Sequence, residues 1–144
     1  MPIRRPGFND TLIDARLSWL TGSAYPAAPG GLWVSLLAGV PSSDGSNVTE
    51  LTPRVAVTYG APSSNSGDPG WPHLRFVQPS APVSFTPAGT PGPGVHINGQ
   101  AWALWSASSG GVPNYADFYA FSLLVGVQTT LPAVTFAVTA TEPT

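Results

Sequence analysis

Along residues 32–38 apolar side chains recur at every second position: Leu32, Val34, Leu36 and Ala38 share one parity. Successive strand residues point to opposite faces, so this spacing predicts a strand with one wholly apolar side turned to a core. Trp33 and Leu37 occupy the other parity. The second face is therefore expected to be covered too, or to meet another subunit at Trp33. A second strand follows over residues 53–59, with Val55, Val57 and Tyr59 on one face and Ala56 and Thr58 on the other. Between the two, residues 41–47 are turn formers. Gly45 suits a positive φ, and Asp44 and Asn47 suit hydrogen bonds to their own backbone.

Upstream, Pro2 and Pro6 exclude a helix from residues 1–8, which read as an extended N-terminal arm whose Arg4 and Arg5 reach toward an acidic neighbouring surface. Thr11 or Asp10 then caps a helix running to Leu20. Asp14, three residues after Thr11, completes a pattern like a capping box at the positive end of the helix dipole. Ile13, Leu17 and Leu20 follow helical spacing, joined by Leu12 and Trp19, so one face is expected to pack on a sheet edge or a partner; Gly22 is a natural stop.

Downstream of Tyr59, residues 60–70 are almost entirely Gly, Pro, Ser, Asn and Asp, which predicts a long exposed loop or an arm ordered against a neighbour. Strand character returns at residues 71–78 and at 82–86, where Val83 and Phe85 alternate with Ser84 and Thr86. Residues 95–97 and 100–107 suggest a hairpin about Asn98-Gly99, a dipeptide suited to a two-residue turn. Residues 108–114 form another turn. Residues 118–127 are apolar on both parities and are placed in a central strand, although a run of that length also suits a buried helix. Residues 134–141 alternate as a half-exposed strand. Altogether the pattern predicts a single, mainly β domain over residues 1–144, an antiparallel β-sandwich, jelly-roll-like fold or barrel of about eight strands with one short N-terminal helix.

Composition narrows the function more than the fold. Charged residues are 8% of the chain, against about a quarter in ordinary globular domains, and the net charge is -2. A surface so poor in charge fits a chain buried against other subunits. All five cations are Arg, and only Arg4 and Arg5 are adjacent, so no basic stripe can hold a phosphate backbone and no nucleic-acid partner is expected. No run approaches the ~20 apolar residues of a membrane span, and no apolar signal core follows the first residues, so the chain is expected to be soluble, made in the cytoplasm and without a membrane partner. The lack of Cys removes disulfides, thiolate metal sites and cysteine nucleophiles together. The prolines fall mostly between strands, where a fixed φ stiffens loops.

Candidate chemistry is sparse. His73 and His96 stand apart between apolar neighbours, with no local cluster of further ligands, so no metal or cofactor is expected. Asp10, Asp14, Asp44, Glu50, Asp68, Asp117 and Glu142 are scattered, and nothing pairs any two of them across a cleft. No Lys is present, which excludes P-loop and Schiff-base chemistry, and no nucleophile elbow occurs. The chain is not expected to be an enzyme. Arg54, beside the second strand, suits an ion pair with Glu50 or with a neighbour's carboxylate. The aromatic residues are a richer set: Trp33, Trp102 and Trp105 fall in strands and read as core, whereas Trp71, Tyr25 and Tyr115 lie near loops and suit a protein contact or a sugar groove.

The order of a short helix, Thr-Gly-Ser-Ala-Tyr, the strand Leu-Trp-Val-Ser-Leu-Leu, a Gly/Asp loop ending near Glu50 and then Pro-Arg-Val-Ala-Val-Thr resembles a family of small tailed-bacteriophage virion proteins, variously labelled head decoration, minor tail or tail fibre proteins. Its first strand typically reads like Leu-Tyr-Leu-Ala-Leu-Phe and its second like Tyr-Ala-Arg-Val-Ala-Val. Residues 32–37 and 54–57 fill those slots here. Trp33 stands where Tyr is usual, and Thr52-Pro53 stands where Tyr-Ala precedes the Arg. The resemblance covers residues 8–59 and implies a capsid decoration protein on the outside of the virion head, a homotrimer seated on the major capsid protein. By residue type and position, Arg4, Arg5, Trp19, Tyr25, Trp33, Arg54, Trp71 and Tyr115 are the interface candidates. The alternative the resemblance implies is a tail-associated protein that binds host glycan through loop aromatics.

Overall fold

The computed structural model describes residues 7–65, 74–88 and 94–141. Its centre is β2 (Leu32–Leu37), flanked by β3 (Val55–Val57) and β7 (His96–Trp105). With β8 (Tyr115–Leu124) and β1 (Gly7–Phe8) these make a five-stranded antiparallel sheet in the order β1-β8-β7-β2-β3. The sheet ends in two edges, β1 and β3, so no barrel closes among the described strands. The fold is mainly β and sandwich-like. Against one face lie a three-stranded sheet of β10 (Val138–Thr141), β5 (Leu74–Val77) and β4 (Ser63–Asn65), and the pair β6 (Val83–Phe85) and β9 (Thr129–Leu131).

The parity of β2 decides what each face buries. Val34 and Leu36 enter the main core with Val83, Phe85, Trp102, Leu104, Tyr115, Leu123, Leu131, Phe136 and Val138. Trp102 is its hub, edge-on to Phe136 at 5.4 Å and tilted against Tyr115 at 5.5 Å. On the opposite face Leu37, Ala101, Ala103, Trp105 and Ala116 pack with Val40 and Val48 from the segment after β2. Both faces are covered, as the apolar residues on both parities of β2 require. Ser35 lies on that second face with no exposure because its Oγ accepts from the buried indole Nε1 of Trp105 at 2.9 Å.

Upstream of β3, residues 49–52 extend its pairing with β2. Ala38 N donates to Thr49 O, Leu51 N donates to Leu36 O, and the Thr52 hydroxyl accepts from Leu36 N at 3.0 Å. A side chain thus supplies the acceptor that a neighbouring strand would otherwise provide. The expected turn between β2 and β3 is present, with φ 82° at Gly45 and Ser46 N donating to Asp44 Oδ1. Asn47 takes a left-handed conformation, φ 58°, and its amide donates to Ser42 Oγ rather than to backbone.

Several expectations are corrected. Asn98-Gly99 is no hairpin turn: it lies inside β7, which pairs with β8 from His96↔Leu124 to Leu104↔Tyr115, and the reversal is made by residues 106–114. The register slips between Gly99 and Ala101, and the Phe121 ring lies where a Gly99 Cβ would stand. Residues 134–141 are not one strand. Ala133–Phe136 forms a 3-10 turn after Pro132, which buries Phe136 and leaves Val134 exposed before β10 begins. The apolar run 118–127 is strand, as expected, and belongs largely to β8. Residues 63–65, expected in a long loop, form β4 through backbone pairing to β5. Gly7 and Phe8, expected in the arm, form β1 against Ala116 and Tyr115.

Candidate interaction surface

Helix α1 (Asp10–Leu20) leaves the sheet edge directly after β1. Its cap is Asn9, not Thr11 or Asp10: Asn9 Oδ1 accepts from Leu12 N at 2.9 Å, and its amide donates to Pro113 O at 2.8 Å. An amide side chain can do both at once, closing the helix and fastening it to the loop after β7. Asp10 accepts from Ser43 Oγ at 2.9 Å. The helix stops where expected. Gly22 N donates to Trp19 O and Ser23 N to Ser18 O, with φ 97° at Gly22, a Schellman closure.

Beyond this anchored start the helix buries nothing. No residue of α1 is buried, and residues 17–30 are exposed without interruption. Leu17 is 57% exposed, Trp19 54%, Leu20 71% and Tyr25 51%. Trp19 and Tyr25 meet edge-on at 6.1 Å, so the aromatic pair is ordered by itself and turned to solvent. Burying a side chain of this size is worth about 1.5–3 kcal/mol, and four of them exposed within residues 17–25 make the kind of apolar surface that marks an interaction site. At the root of the helix Leu12, Ile13, Arg16 and Tyr25 line a hollow of about 120 Å³ with Phe8. The Arg16 guanidinium stands 5.4 Å from the Phe8 ring.

Arg54, by contrast, is spent within the chain. Its side chain is 6% exposed. Nε and Nη2 donate to the two oxygens of Glu50, Nη1 donates to Ala107 O and Gly110 O, and the guanidinium lies 3.4 Å from the centre of the Trp105 ring. It fastens the loop after β7 over the second core. Trp33 is half-buried against the same core. Tyr115, expected at a contact surface, is 4% exposed, meets Phe8 edge-on and lies tilted against Trp102. Its place at the start of β8 put it beside a loop in sequence but inside the sandwich in space. Burial pushes its hydroxyl above the ordinary phenol range, and does the same more strongly to Tyr59, whose hydroxyl donates to Phe136 O at 2.8 Å.

Of the interface candidates, Trp19 and Tyr25 are brought together on the surface, while Trp33, Arg54 and Tyr115 serve packing within the chain. Arg4, Arg5 and Trp71 lie outside the described residues, as do His73, Asp68 and Glu142. His96 is exposed on β7, with Nδ1 3.3 Å from Ser122 Oγ. Among the described residues no three of His, Asp and Glu converge. Hydrogen bonds from the Ser46 hydroxyl and backbone to Asp44 hold that carboxyl below the usual range, an ordinary turn contact.

Phe8 was the residue that pattern alone passed over. It sits one position before the cap and faces Ile13, four positions into the helix, which is the spacing of a hydrophobic staple. Recognising Asn9 as the cap reveals it. A scan against family models and searches of curated proteins and of solved structures each returned no match.

Proposed function

We propose that this chain is a non-enzymatic virion structural protein, a bacteriophage decoration protein that binds the outside of the assembled head together with copies of itself, as a trimer. The observation that carries the reading is the uncovered surface of α1 and the segment after it, where Leu17, Trp19, Leu20 and Tyr25 stand in water on a helix anchored only at its start. A single chain gains nothing from holding such residues out; an assembly gains their burial. The resemblance of residues 8–59 to phage virion proteins and the 8% content of charged residues support the same reading. The mechanism is linkage: a protein that binds the assembled shell and not its dissociated subunits stabilises the shell.

The test is the number of copies of this chain per purified virion, measured by quantitative mass spectrometry against the major capsid protein. Hundreds of copies are expected, and heated decorated particles should then outlast stripped ones. A handful would move the protein to the tail, and none would remove it from the virion.

The exposed Trp19–Tyr25 pair also favours a second reading, a tail-associated module that stacks these rings on a host glycan. That reading predicts sugar binding abolished by Trp19→Ala and fails if the intact protein binds no host glycan.

A further inference from the structure

Arg16, Arg54 and Arg75 are the cations among the described residues. Arg54 has Glu50. Neither Arg16 nor Arg75 has a carboxylate partner among the described residues, and each lines a hollow that Phe8 also lines. Arg16 lines the hollow at the root of α1, with Phe8, Leu12, Ile13 and Tyr25. Arg75, exposed on β5, lines a second hollow of about 200 Å³ with Phe8, Phe76, Val77 and Val138. Phe8 is the wall common to both. No Asp or Glu is among the described residues that line either one.

In a chain with so few charges, this placement selects an occupant. Guanidinium groups are weakly hydrated and match carboxylates in two-point geometry, so a cation beside an apolar hollow favours an anion carried next to an apolar group. Two hollows on one ring take two apolar side chains, which a peptide offers and a free carboxylate does not. We propose that the Phe8 groove is a docking site for an acidic segment of a partner protein, whose bulky apolar side chains seat against Phe8 while its carboxylates meet Arg16 and Arg75. This rests on the assembly reading above and names the chemistry of the partner that the surface around α1 receives. The apolar anchors supply the affinity and the arginines the selection, the usual division in a protein contact.

The probe is a capped synthetic peptide, Gly-Glu-Leu-Glu-Phe-Glu-Gly, titrated into the isotope-labelled full chain at low salt and followed by amide chemical shifts. Two controls replace every Glu by Lys, or both Leu and Phe by Gly. Saturable shifts are expected at Phe8, Leu12, Ile13, Phe76 and Val77, with each control about tenfold weaker or worse. The double variant Arg16→Glu, Arg75→Glu should weaken the acidic peptide by about tenfold or more and prefer the Lys peptide. Both arginines are exposed, and an unchanged thermal midpoint checks that the fold is kept.

No saturation at millimolar peptide, equal binding of the Lys peptide, or shifts elsewhere would each overturn the proposal. If the double variant also lowers the mass of the free protein in solution, the occupant is a second copy of this chain, and the assignment to a different partner is overturned. Failure here alongside hundreds of copies per virion would leave the decoration reading standing without this groove. Peptide binding by a protein absent from virions would do the reverse.

Discussion

At the scale of single residues, three positions carry more of the fold than their chemistry announces. The Thr52 hydroxyl is the acceptor for the buried Leu36 amide on the central strand. Thr52→Val keeps the shape and removes the acceptor, leaving that donor unpaired at a cost of about 1–3 kcal/mol, whereas Thr52→Ser should keep most of the stability; equilibrium denaturation separates the two. Gly99 is required by closeness: a Cβ there would run into Phe121 Cζ and the Leu37 carbonyl oxygen. The ring can turn but the backbone oxygen cannot, so Gly99→Ala should destabilise by about 1–3 kcal/mol or more. Tyr59 carries a pH dependence. Burial raises its folded-state pKa above the ordinary value of 10.0, so the neutral hydroxyl is the native form. Its stabilising share is complete below pH 10 and declines as pH rises further, because the unfolded chain ionises while the native chain does not, at a slope of up to about 1.4 kcal/mol per pH unit. Tyr59→Phe should flatten the alkaline limb of a stability–pH curve, and an identical limb in the variant would remove this residue from the account.

At the scale of elements, what was legible was what one strand or helix decides for itself. The alternation in β2 and β6 follows from burying one or both faces, so Val34, Leu36, Val83 and Phe85 could be placed in the core from spacing alone. Helix α1 was legible in its length and its Gly22 stop. Its cap was not, because Asn9 is chosen partly by Pro113, 104 positions away. Asn98-Gly99 misled for the same reason: the dipeptide favours a turn locally, but the pairing of β7 with β8 at eight positions outweighs it. The groove at Phe8 joins residues from β1, α1, β5 and β10, which no local pattern brings together. The helix also makes a prediction that separates folding from association. Trp19→Ser with Leu20→Ser removes largely exposed groups and one surface ring contact, so the free chain should change in stability by no more than about 1.5 kcal/mol. Attachment to particles should nevertheless weaken about tenfold or more, read by cosedimentation; a variant that attaches normally would take α1 out of the interface.

At the scale of the whole molecule, the protein sets two different surfaces side by side, and salt should tell them apart. The patch of Leu17, Trp19, Leu20 and Tyr25 is apolar, and the nearest cation among the described residues, Arg16, faces Phe8 instead. An association built on that patch loses little when ionic strength rises, because apolar burial is not screened. The Phe8 groove is bounded by two exposed arginines, and contacts made there to carboxylates weaken as the Debye length falls from about 10 Å at 0.1 M salt to about 3 Å at 1 M. Attachment to the shell that uses both surfaces should therefore fall with added salt to a plateau rather than to zero. In the Trp19→Ser, Leu20→Ser variant the plateau should vanish while the salt-sensitive part persists; in the Arg16→Glu, Arg75→Glu variant the plateau should remain and the salt dependence reverse, because the introduced carboxylates repel those of the shell until salt screens them. Cosedimentation with stripped particles across that range of salt measures both. A single salt dependence shared by wild type and both variants would mean that neither surface meets the shell, and that the apolar residues of α1 are held in water for some other contact.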